Sequence, residues 1–269
     1  MAMRVMALVL VLVLALWPMM ARAKADTLTV VPVGRAVGIK LFSDGVVVVG
    51  TSEITTQDGA VNPAKDCGLR EGDIITHINS TEVDTIEEVS ALLQELEGET
   101  MSIRAIRDDQ QVQLTAQAVL CSADGEYKLG AWIRDSMAGI GTVTFYCPQT
   151  GAFGALGHGI NDVDTALLMP LESGSILPAT VSGVDKGQCG TPGQLRGVFE
   201  SEVTLGELEG NSSCGIYGTM TDTDWFTGQA VEVAGRDEVK AGKATILSNI
   251  SGNQVEEYEI EIVKVYPDS

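Results

Sequence analysis

From Cys121 to the end, the chain offers no stretch with the 3.6-residue repeat of a long helix. It offers short apolar segments instead: "GTVTFY", "ILPATVSGV", "GIYGTM", "ATILSNI" and "YEIEIVKV". Glycine-rich or polar turns separate them. Thirty glycines are spread over 269 residues. A half built this way has one economical solution, strands joined by tight turns into a barrel or sandwich.

The half before Cys121 reads differently. "GVVVVG" (Gly45–Gly50) is a β-branched run between glycines and predicts a buried strand. "DIITHI" predicts a second strand, ended by the turn at Asn79-Ser80. A helix follows, because Ile86, Val89, Leu92, Leu93 and Leu96 fall on one face. Thr85, with Glu88 three residues on, forms a capping box at its start. "MSIRAI" and "VQLTAQA" predict two closing strands around a turn at Asp108–Gln111. A compact unit is therefore expected over 38–120, a linker over 26–37, and a second unit over 121–269.

Residues 1–25 read as a secretory signal peptide or membrane anchor. Arg4 precedes an apolar run from Val5 to Met20, and Ala21-Arg22-Ala23 and Ala23-Lys24-Ala25 both fit cleavage sites. Either outcome places the remainder outside the cytoplasm. The formal net charge is -20, spread along the chain. Such a surface repels phosphate backbones and argues against nucleic acid as a partner. The five cysteines include no C-x-x-C pair, so a structural zinc site is not expected. Their odd number leaves room for one disulfide rather than a framework.

Two histidines could move protons near neutral pH. His77 lies mid-strand and reads as structural. His158 lies in "GALGHGINDVDT", between Gly157 and Gly159, where the chain can turn sharply and leave an imidazole unobstructed. Asp162 and Asp164 are close enough in sequence to orient that ring, but their spacing better suits stabilising the turn. Cys189 in "GQCGTPG" sits in a glycine-rich turn superficially like a cysteine nucleophile loop, but it follows His158 too closely in the chain and reads as a glycine turn with an incidental thiol. Ser175 in "ESGSILP" has the context of a strand entry and not of a nucleophile elbow.

The first unit resembles a PDZ domain of the bacterial, protease-associated kind, through "SDGVVVVG", "GLREGDIITHINSTEV" and the helix from Thr85. That resemblance implies capture of extended peptide ends by strand addition, with Gly45, Val46, Val47 and Val48 as the matching edge. "WIRDSMAGIGTVTFYCPQTGAFGALGHGINDVDT", with "GVDKGQCGTPGQLRG" and "NSSCGIYGTM", resembles the SpoIVB-type serine peptidases. The implied fold is mainly β: a PDZ domain, then a chymotrypsin-like barrel peptidase domain incomplete at its C-terminus. The resemblance makes His158 the catalytic histidine and requires no metal or organic cofactor. It places the family's aspartate and glycine-flanked serine beyond "EIEIVKVYPDS", so the 269-residue chain is expected to be an inactive fragment. It further implies cleavage of a membrane-bound sporulation regulator between forespore and mother cell. That cut releases an intramembrane protease and activates a late sigma factor, with self-processing as a second substrate. The competing expectation is a secreted PDZ module that binds peptides and cleaves nothing.

Overall fold

The structure, a computed structural model, describes residues 28–199, 202–226 and 228–266. The expected signal peptide or anchor lies outside them. No helix among the described residues is long and apolar enough to cross a membrane.

One strand organises the molecule. β1 (Thr29–Thr51) runs for 23 residues and serves two sheets in turn. Its first part, Val37–Phe42, pairs with strands of the second unit. Its last part pairs with the first unit through Val46 and Val47. The change of sheet falls at Ser43–Gly45. The buried Ser43 hydroxyl donates to the Gly45 carbonyl (2.6 Å), and Gly45 takes φ +82°. Residues 26–37, expected as a linker, are thus strand from Thr29 onward. Val31, Val33, Ala36 and Val37 are buried there, which a linker's side chains would not be.

The first unit follows: β2 (Ile54–Thr56), β3 (Gly59–Val61), α1 (Pro63–Asp66), β4 (Ile74–Ile78), β5 (Thr81–Glu82), α2 (Ile86–Glu95), β6 (Thr100–Arg107), β7 (Gln110–Gln117), β8 (Val119–Leu120) and β9 (Tyr127–Lys128). The end of β1, β4, β6 and β7 pair in that order. Val48, Leu69, Ile75, Ile78, Val89, Leu93 and Ile103 form the core between this sheet and α2. The capping box is present: the Glu88 amide donates to the Thr85 hydroxyl, and the Thr85 amide to the Glu88 carboxylate. Under the sheet, the fully buried Asp73 accepts two bonds of 2.6 Å from Arg107 and one of 2.9 Å from the Arg70 amide.

The second unit contains β10 (Ala131–Tyr146), β11 (Ala152–Ala155), β12 (Ser173–Asp185), β13 (Gln194–Phe199), β14 (Gly206–Ser212), β15 (Gly215–Met220), β16 (Val231–Glu232), β17 (Gly242–Ser251) and β18 (Gln254–Ile262). Pairing runs from β1 to β10, β11, β15, β14 and β12, and β12 pairs again with β1. Six antiparallel strands therefore close a ring of hydrogen bonds. Val37, Ile39, Val143, Phe153, Ile176, Leu205 and Ile216 fill its interior. The β17–β18 hairpin rests on β1, where Asn249 accepts from the Ala36 amide (3.4 Å). A third, small core of Leu41, Val47 and Met169, with Ile74, Met137 and Ile160 against it, joins the two units.

Candidate functional site

His158 follows β11 in a turn that needs both its glycines, for different reasons. Gly157 has φ +96°, a conformation that side chains with a Cβ resist. Gly159 is packed so closely that a Cβ would stand 2.3 Å from Leu168 Cδ1 and 2.6 Å from the Ser212 carbonyl oxygen. Leu156, just ahead, is itself left-handed (φ +71°), backbone strain of a kind that clusters at functional sites.

The ring nitrogen Nδ1 of His158 lies 2.9 Å from the Gly159 carbonyl oxygen. A carbonyl can only accept, so Nδ1 carries the proton in this contact. The neutral ring then keeps Nε2 as its acceptor, the tautomer a general base needs. His158 lines a cleft of about 530 Å³. One wall is β10 from Met137 to Thr142; the opposite wall is Pro192–Leu195 at the start of β13. Among the lining residues the hydroxyl is that of Thr142.

The loop after His158 is clipped at several points. Asn211 accepts from the Ile160 amide (2.8 Å) and donates to the Ile160 and Met169 carbonyls (2.9 Å each). Asp162 Oδ1 accepts from the Asp164 amide, the Thr165 amide and the Thr165 hydroxyl at 2.9–3.1 Å. Asp162 is therefore a turn residue, not the partner of the imidazole. Burial alone would raise its carboxyl pKa. The bonds from Thr165 and Asp164, together with the Arg134 charge, hold it below the ordinary aspartate value instead. Cys189 sits on an exposed turn outside the cleft lining, and Ser175 is a mid-strand residue paired with Lys40 and Glu207. His77 lies in β4 opposite Glu82 and Arg104.

The edge expected at Gly45–Val48 is not open. Val46 and Val47 pair with Ile75 and Ile74 of β4, while Val47 and Val48 pair with Arg134 and Ile133 of β10. The Gly45 amide donates to Asp84. The bare edge beside α2 belongs to β10 instead: Ala131–Arg134 pair with β1 on one side and with no strand among the described residues on the other. A groove of about 640 Å³ lies between this edge and the helix, lined by Ile86, Val89, Ser90 and Leu93 of α2 and by Trp132 and Ile133. Its ends are fastened. Gln94 exchanges two bonds of 2.9 Å with the Tyr127 backbone, and Asp135 accepts from the Ile86 amide (3.0 Å). The sequence concealed this because "WIRD" reads as an ordinary strand and its partners lie about 80 residues upstream.

Fold and site together define a β-rich protein in which a PDZ unit is built onto a strand ring bearing a single imidazole over a cleft. The family model described as SpoIVB peptidase S55 matches residues 125–269, more than half of the 269. The chain belongs to that family. A PDZ domain model matches residues 61–107. A solved structure, the PDZ domain of the SdrC-like protein from Listeria monocytogenes, is 24% identical and covers 34% of this chain and 87% of its own, with a TM-score of 0.27. No curated protein matches the chain.

Proposed function

We propose that this protein is a serine endopeptidase in which His158 takes the proton of a serine hydroxyl and returns it to the leaving amine. The carrying observation is the placement of His158: Nδ1 lies 2.9 Å from the Gly159 carbonyl oxygen, which leaves Nε2 of the neutral ring as the acceptor, and the ring borders a cleft of about 530 Å³. Substrate is held as an added strand along Ala131–Ile133, with apolar side chains in the groove against α2. The proton transfer proposed for His158 requires no metal.

The family suggests the biological setting. The substrate on this reading is a membrane-bound sporulation regulator in the space between forespore and mother cell, with self-processing as a second reaction. The protein is secreted or tethered there, and its cut licenses an intramembrane protease and a late sigma factor. A second reading is favoured by the groove, which is complete without the cleft: a PDZ module that captures peptides and cleaves nothing. Hydrolysis of casein or self-cleavage by the natural full-length protein, with and without His158→Ala, decides between them. Loss of hydrolysis in the variant supports the peptidase. Undiminished hydrolysis in the variant, or capture without cleavage by the wild type, ends that reading.

A further inference from the structure

Arg134 occupies an unusual place. It lies on β10 between the groove residues Trp132 and Ile133 and the cleft wall that begins at Met137. Its side chain reaches across to the loop that follows His158. Nε stands 3.1 Å from Asp162 Oδ2, and the terminal nitrogen bonds Asp164 Oδ2 at 2.6 Å. The Asp162 side chain is fully buried, and its Oδ2 accepts no hydrogen bond. The pairing with Arg134 is therefore by charge, and the carboxylate has no water to fall back on. The loop it belongs to also leans on the first unit, where Leu167 packs against the Gly72 turn.

Resting on the peptidase reading above, we propose that Arg134 is a positioning residue for His158. It fixes the Asp162–Thr165 turn, which with Asn211 fixes the backbone from Gly159 to Met169. The Gly159 carbonyl in turn fixes the imidazole. Arg134 lies outside the cleft lining, and its reach ends at the two carboxylates. It therefore acts on the geometry of the base and not on the binding of substrate.

The sequence contains two histidines, which makes the test direct. In natural full-length protein labelled with nitrogen-15 histidine, His77→Gln assigns one ring and leaves the other as His158. Recorded at about pH 8.5, above the ordinary imidazole range, wild-type His158 is expected as the Nδ1–H tautomer. Arg134→Ala is expected to give averaged tautomers, and Arg134→Lys to restore the wild-type pattern. Turnover should change in parallel: kcat falls about 100-fold in Arg134→Ala with KM within about twofold, as for a misplaced catalytic group. Where Arg134→Ala does not fold, the double variant Arg134→Gln/Asp162→Asn removes both charges, and the averaged pattern is expected there too. An unchanged nitrogen pattern in the folded variants, or a loss carried by KM alone, overturns the proposal. A wild type that hydrolyses nothing overturns the peptidase reading, while the nitrogen pattern still decides the role of Arg134.

Discussion

Arg134 Nε lies 3.1 Å from Oδ2 of Asp162, a carboxylate whose side chain has 0% exposure. On the same strand the next residue, Asp135, holds the first amide of α2. Consecutive residues of β10 thus grip the loop behind His158 and the helix that walls the peptide groove. The cleft beside His158 and the groove beside α2 share one strand, as the two sheets share β1.

The Asp162 carboxyl is held below its ordinary value in the fold, and the sign of its pH effect follows. Its contribution to stability is fully present above the unfolded value of about 3.9 and is lost as pH falls through the lower folded value. Asp162→Asn should therefore be less stable than wild type at pH 7 but should decline less steeply below about pH 4. Urea midpoints across pH 2 to 7, followed by circular dichroism, measure this. Parallel acid limbs for the two proteins would show that Asp162 is not a linked group.

Local chemistry was legible in the sequence, and long-range pairing was not. The Thr85–Glu88 box, the helix of Leu93 and the turn at His158 each depend on residues within four positions of one another. All three could be read directly. The Asp162 turn was legible for the same reason, since an aspartate two and three residues ahead of free amides makes such a turn. The strand character of Thr29–Val37 was hidden, because Pro32 and Gly34 interrupt its alternation and the partners that bury it lie more than 100 residues away. The occupation of Gly45–Val48 was hidden likewise: a β-branched run between glycines is compatible with an open edge until β10 is known to lie against it. Nothing local marks Arg134 as more than a solvent-facing strand residue.

Asp73 and Arg107 set a second test. Asp73 is 1% exposed at its side chain and receives both 2.6 Å bonds from Arg107. Removing the guanidinium leaves a buried charge with the Arg70 amide as its remaining partner. Arg107→Ala should cost about 3–5 kcal/mol, and replacing both residues with apolar ones of similar volume should cost much less. Denaturant midpoints of the two variants measure the difference. Equal losses would mean that the pair acts through packing and not through charge.

The groove predicts a separation of function. Ser90 is on the exposed face of α2 and lines the groove opposite Trp132, which is 63% exposed. Ser90→Trp fills that space without entering the core. Peptides selected from a displayed library for binding to the wild-type protein should bind this variant at least about tenfold more weakly, a loss of about 1.4 kcal/mol. Its melting temperature should stay within a few degrees, as for surface substitutions generally. Substitution of Val47, whose backbone is already paired on both sides, should act through stability instead. Full binding by Ser90→Trp would move the capture site elsewhere.

The two glycines around His158 should respond differently to the same added methyl. At Gly157 nothing lies within 4 Å of a new Cβ, but φ is +96°. Alanine there is expected to cost about 1–3 kcal/mol of stability through backbone strain. At Gly159 the obstacle is space: the methyl would meet the Ser212 carbonyl oxygen at 2.6 Å, and that backbone cannot yield as a side chain would. The Gly159 peptide must therefore shift, and its carbonyl is the acceptor that holds His158 Nδ1. On the proposed peptidase reading, Gly159→Ala should reduce kcat about 100-fold, the loss expected when a catalytic group is displaced. Gly157→Ala should lose stability first and retain more of its turnover when assayed well below its melting temperature. Comparing kcat and thermal midpoints of the two variants in the natural full-length protein measures both effects. A Gly159→Ala protein with unaltered turnover would show that the carbonyl contact does not set the imidazole.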